Sequence, residues 1–205
     1  MSQSRKFFHP FSYLFLTLLL SCTGSIPVRN EVVIRYISDP ETMNPVNLTD
    51  ASAGYITSHV FQKLIDADFK NPDEFVPVLA ESRPHIETTP DGKLSLTFQI
   101  RKEAEWDNTN PVTAKDVEFT LKTIKCPLVN NPNYKPYFEF INDFIFYPDN
   151  PRKFTITSKN MYFLAEATFT DISILPEYLY DPKGLLKKFT VKLISEKPDS
   201  LKSDA

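Results

Sequence analysis

The chain has 205 residues, 41% apolar and 24% charged, which is enough for one globular domain of moderate size or two small ones and rules out a disordered composition. Its 23 basic and 26 acidic side chains are interspersed, so no basic face is available to displace counterions from a phosphate backbone, and no nucleic acid is expected as a partner. The four glycines, Gly24, Gly54, Gly92 and Gly184, are too scattered to form the glycine loop that cradles a nucleotide phosphate.

At the amino terminus, Arg5 and Lys6 precede an apolar run from Phe11 to Leu20 that is too short to cross a bilayer. That pattern predicts a signal peptide over residues 1–21. Its end, Leu19-Leu20-Ser21-Cys22, resembles a lipobox, in which Cys22 becomes lipidated and forms the new amino terminus. The alternative is an uncleaved hydrophobic anchor with an incidental cysteine. On the lipoprotein reading residues 22–30 are a tether, and the protein is exported, periplasmic or held at the cell envelope. Acyl chains hold such an anchor because each buried methylene is worth about 0.8 kcal/mol. Only Cys126 then remains, so no intrachain disulfide is expected; ahead of Pro127 it reads as a small buried apolar residue.

The β-branched run Val32 to Ser38 predicts a buried strand that stops at Asp39-Pro40. Residues 41–52 follow as an ordered loop with Pro45 and several Asn and Asp. From Asp50 the spacing of Ile56, Val60, Phe61, Leu64 and Ile65 predicts an amphipathic helix capped by Thr49 or Asp50. A loop over 66–75 leads to a short buried segment at Val76, Val78 and Leu79.

The alternation of Leu94, Leu96, Phe98 and Ile100 with polar residues predicts a strand, and Asp91-Gly92 before it signals a hairpin turn. Pro111, Thr113 and Asp116 then predict a capping box, followed by a helix whose stripe is Val117, Thr120, Leu121 and Ile124. Further on, strands are expected over 140–147 and 154–158, and short helices over 162–169 and 184–188.

Little of this points to reaction chemistry. His9, His59 and His85 are far apart, and HExxH, CxxC and GxSxG are all absent, so no catalytic residue, metal ligand or cofactor is nominated and the chain reads as a non-enzyme. Trp106 reads as a packing residue, with ligand stacking as the alternative.

The ordered series Ala80-Glu81-Ser82, Asp91-Gly92-Lys93, LTFQIRKEAEWDN and PVTAKDVEFTL, with DPETMNP and VFQKLID before it and ILPEYLYDP after it, resembles the extracellular solute-binding proteins of family 5. These are the peptide, dipeptide and nickel binders of ABC importers. The chain departs from the family pattern at Thr109, where glycine usually follows Trp-x-Asn.

The resemblance implies an α/β fold like the type II periplasmic binding proteins, with a partial first lobe, an inserted smaller subdomain, and a mixed sheet with flanking helices. Residues 31–48 would start lobe one, 49–170 form the inserted subdomain, and 171–205 return toward lobe one in a chain that reads as truncated. By resemblance, Thr49, Asp50, Ala51 and Ser52 line the cleft, where Asp50 meets a ligand amino group or alternatively caps its own helix. Tyr137 lies near a family aromatic that faces the ligand, with core packing as the alternative. The implied function is a lipid-anchored importer component that binds oligopeptides or dipeptides. Its partners would be the peptide, the permease subunits and the membrane through the lipid. The alternatives are a truncated surface lipoprotein remnant that binds no solute, and an exported hydrolase.

Overall fold

The computed structural model describes residues 30–201, so the predicted signal peptide and Cys22 lie outside the described residues. The chain divides into two units, residues 1–35 and 36–205. In the first, the described residues 30–35 form no regular element, and Val32 and Val33 are 89% and 87% exposed.

The expected strand over 32–38 is therefore absent. A β-branched run is buried only when neighbouring strands accept its backbone groups, and no strand among the described residues pairs with it.

In the second unit, Asp50 caps α1 (Ala51–Ser58), its Oδ1 accepting the Ala53 amide at 2.8 Å. This helix ends well before the predicted stripe does. The Thr57 hydroxyl turns back onto the Ala53 carbonyl at 2.8 Å, and Val60 is exposed. Leu64 and Ile65 are fully buried as expected, but on extended chain, with β1 (Ile65–Ala67) pairing antiparallel with β2 (Phe75–Pro77). The intervening loop is tied down by Asp68, whose Oδ1 accepts the amides of Lys70 at 2.6 Å and Asn71 at 3.1 Å.

The main sheet is four-stranded and antiparallel, in the order β3 (His85–Thr88), β4 (Leu94–Gln99), β6 (Asn150–Ser158), β5 (Ile141–Tyr147). The predicted alternation on β4 holds: Leu94, Leu96 and Phe98 are buried, while Ser95, Thr97 and Gln99 are half-buried. Gly92 takes a φ of 76° in the hairpin before it, a backbone conformation that glycine adopts without steric cost. The buried face is aromatic. Phe154 stacks between Phe98 and Phe144 at centroid distances of 5.4 and 5.0 Å, and Phe169 meets Phe98 edge-on at 5.2 Å. On the other face the Thr97 and Thr155 hydroxyls pair at 2.8 Å across the β4–β6 ladder.

That aromatic face belongs to a core that also takes in α2 (Ala114–Lys125) through Val117, Leu121 and Ile124. The predicted capping box is present, and Asp116 Oδ2 accepts the Thr113 amide at 2.8 Å. Burial raises the Asp116 pKa, while hydrogen bonds from Thr113 and Trp106 act against that rise. Cys126, at the end of the helix, is buried as expected.

Two expected helices are not α-helical. Residues 163–166 are turns that lead into a 3-10 helix at Ala167–Thr170, and a second 3-10 helix occupies Leu185–Lys188. Phe163 is 95% exposed while Ala165 and Phe169 are buried and Tyr162 packs against the core, so the segment presents no continuous helical stripe and follows the contacts it makes instead. The short α3 (Glu177–Tyr180) and α4 (Val191–Glu196) follow, and a 3-10 helix at Pro198–Leu201 ends the described residues. Where the chain leaves the sheet region, the Ile174 amide donates to the Gln62 carbonyl at 2.9 Å, so the way in and the way out lie side by side.

Candidate functional site

The loop before α1 is held by its own side chains. Asn44 Oδ1 accepts the Val46 amide at 3.1 Å, and the Thr42 hydroxyl oxygen accepts the Asn44 amide at 3.1 Å. The Thr49 hydroxyl donates to Glu41 at 3.0 Å, and Asp50 Oδ2 accepts the Glu41 amide at 3.1 Å. A second loop, beyond the end of α2, is fastened to the first by Asn133, whose amide nitrogen donates to the Leu48 carbonyl at 2.8 Å.

Between the two loops is a cavity of about 240 Å3, with Glu41, Thr42, Asn47, Thr49, Asn131 and Asn133 among its lining residues. Asn131 is only 2% exposed, and its amide nitrogen donates to the Ile124 carbonyl at 2.9 Å, one of the carbonyls that a helix end leaves without a partner. That bond fixes which end of the side chain is oxygen. The Oδ1 atoms of Asn131 and Asn47 are both buried without a hydrogen-bond partner. Buried acceptors in this state are costly.

Of the residues nominated from the sequence, the structure brings Thr49 to this cavity. Asp50 lies behind it, with one oxygen capping α1 and the other bracing Glu41. Ala51 is exposed and Ser52 half-buried in the first turn of the helix. Tyr137 sits on a 3-10 helix (Lys135–Phe138) at 56% exposure, and it is the neighbouring Phe138 that enters the core. Sequence reasoning missed Asn47, Asn131 and Asn133. Their only signal was a polar, turn-rich composition, which does not reveal that two loops this far apart in the chain share a wall.

Trp106 is half-buried against the core, as its packing role requires. It also borders a separate cavity of about 350 Å3, together with Phe61, Arg101 and Tyr178.

The family profile described as "Bacterial extracellular solute-binding proteins, family 5 Middle" matches residues 74–198. The chain belongs to this family. Among family 5 relatives, the periplasmic oligopeptide-binding protein OppA of Haemophilus influenzae is 28% identical over 113 residues, covering 55% of this chain and 20% of that protein. The crystal structure of NikZ from Campylobacter jejuni in complex with Ni(L-His) aligns with a TM-score of 0.56 at 26% identity, covering 69% of this chain and 26% of the other. Haemophilus influenzae OppA in complex with the peptide RPPGFSPFR aligns with a TM-score of 0.57 at 20% identity, covering 78% of this chain and 32% of the other, a likeness of fold. The fold is thus of the type II periplasmic-binding-protein kind, and the chain spans about a fifth of the length of its Haemophilus influenzae relative. Among the described residues no helix is long and apolar enough to cross a membrane.

Proposed function

We propose that this family 5 chain contributes to the ligand-gripping face of an exported, lipid-anchored component of an ABC importer for oligopeptides or dipeptides, anchored through Cys22. The observation that carries the reading is the polar cavity between the two loops, lined by Asn47, Thr49, Asn131 and Asn133 among others. An extended peptide presents regularly spaced backbone N–H and C=O groups, which a wall of amide and hydroxyl side chains is suited to meet. Binding of this kind consumes nothing and needs no nucleophile. In this reading Thr49 contacts the ligand and Asp50 holds the loop that presents it, while Ala51, Ser52 and Tyr137 border the path of the peptide. Residues 49–170 act as the inserted subdomain, 31–48 and 171–205 belong to lobe one, and permease subunits receive the loaded protein.

Calorimetric titration of the full chain with a mixed pool of di- to pentapeptides tests this. Saturable heat is expected, weakened about fivefold by Asn47→Ala, the usual size for one hydrogen bond. Absence of heat would favour a surface lipoprotein that binds no solute, and cleavage of the pool would favour a hydrolase; either result would overturn the proposal.

A further inference from the structure

A second polar cavity, of about 270 Å3, has a lining distinct from the Asn-lined one and rich in lysine. Its lining includes Lys125, Lys135, Lys159, Glu139 and Ser195. The lysines come from separate elements: Lys125 ends α2, Lys135 opens the 3-10 helix after it, and Lys159 directly follows β6. Lysines on an open surface spread into water, whereas these line one hollow with a single carboxylate among them.

Lys125 is the anchor of the cluster. It is only 7% exposed, and its Nζ donates to the carbonyls of Phe138 and Ile141 at 3.0 Å each, which fixes the ammonium and uses two of its three donors. Burial, then the neighbouring charges of Lys159 and Lys135, lower its pKa to about 8, with Glu139 opposing them. The two other lysines are thus close enough to act on Lys125 through their fields. Three cations against one carboxylate leave the lining two positive charges in excess.

We propose that this cavity binds a phosphate-type dianion, either inorganic phosphate or a phosphate monoester. Such a group carries about −1.5 to −2 charges near neutral pH, matching the excess, and its oxygens accept from several ammonium donors at once. A phosphodiester, with a single charge, matches less well. Among the described lining residues Glu139 is the one carboxylate, and the ligand would sit toward Lys125 and Lys159.

Calorimetric titration of the full chain with sodium phosphate, and separately with glycerol 3-phosphate, at ionic strength held constant with chloride, tests the site. Saturable binding of either supports it, and which one binds more tightly identifies the source of the phosphate. Lys159→Ala and Lys135→Ala are each expected to weaken binding about fivefold, with the circular dichroism spectrum unchanged. Sulfate, whose charge is constant across the range, is expected to bind more weakly at pH 9 than at pH 7, because Lys125 loses its proton between them. No binding beyond the chloride control, or a Lys135→Ala/Lys159→Ala double variant that binds like the parent, would overturn the proposal. Because these probes are not peptides, the result is independent of the peptide titration.

Discussion

Thr109 shows how one residue can be informative for being the wrong type. Its φ is 65°, in the left-handed region where a β-branched side chain crowds the backbone, and it is the described non-glycine residue with a positive φ. The turn around it is otherwise well bonded: the Trp106 amide donates to the Asn110 carbonyl at 2.8 Å and the Thr109 amide to the Trp106 carbonyl at 2.9 Å. The side chain is exposed, so Thr109→Gly removes strain without opening a hole. The relief of roughly 1–2 kcal/mol is partly offset by the extra freedom glycine has when unfolded, which leaves a gain of about 0.5–1 kcal/mol in urea denaturation. The departure from the family pattern was legible in the sequence; the angle that gives it a cost was not.

Lys125 makes a pH-dependent claim at the same scale. With its folded pKa lowered to about 8 from the ordinary 10.5, the folded chain holds this proton less tightly than the unfolded chain does. The unfolded state binds more protons between those values, so stability rises with pH from about 8 to 10.5, by up to about 3 kcal/mol from this residue. Urea midpoints measured across that range should climb for the parent and climb less for Lys125→Met. Nothing in the sequence marked this lysine, because its burial depends on carbonyls of Phe138 and Ile141, contributed from beyond the helix.

Among the elements, those written as local patterns were readable and those set by distant contacts were not. β4 and α2 carry period-2 and period-3.6 stripes next to their own turn and cap signals, and both formed where expected. The extension of α1 through Leu64 and Ile65 failed because those side chains reach the core equally well from a strand, and pairing with Phe75–Pro77 decided the outcome. The short α4 was missed since its six residues carry too little period to register. For α2 the cap is the point to test. Asp116→Ala removes the acceptor of the Thr113 amide, and a loss of about 1–2 kcal/mol is expected in thermal or urea unfolding. Asp116→Asn keeps an oxygen at the same place and should recover part of that loss.

Across the whole molecule, distant segments are clasped at a few points. Arg83 Nε and Nη2 each donate to a Glu166 carboxylate oxygen at 2.7 Å, and the guanidinium lies 5.6 Å from the centre of the Phe75 ring. The bidentate geometry places this pair near the upper end for partly exposed ion pairs. A double-mutant cycle with Arg83→Ala and Glu166→Ala should give a coupling of about 0.5–1 kcal/mol, shrinking in 1 M salt. The candidate site has the same long-range character. Thr49 was legible through a family motif, but Asn47 and Asn131 became candidates only when two loops were seen to share one cavity with unpaired oxygens.

The bond from Ile174 to Gln62 carries one more consequence. It brings the two ends of the stretch 63–173 together, yet residues beyond it stay tied into that stretch: the Leu175 amide donates to the Thr120 hydroxyl, Tyr178 to Asp107 and the Ser195 hydroxyl to the Ile141 carbonyl, so a cut or insertion at this point would disturb the packing on both sides.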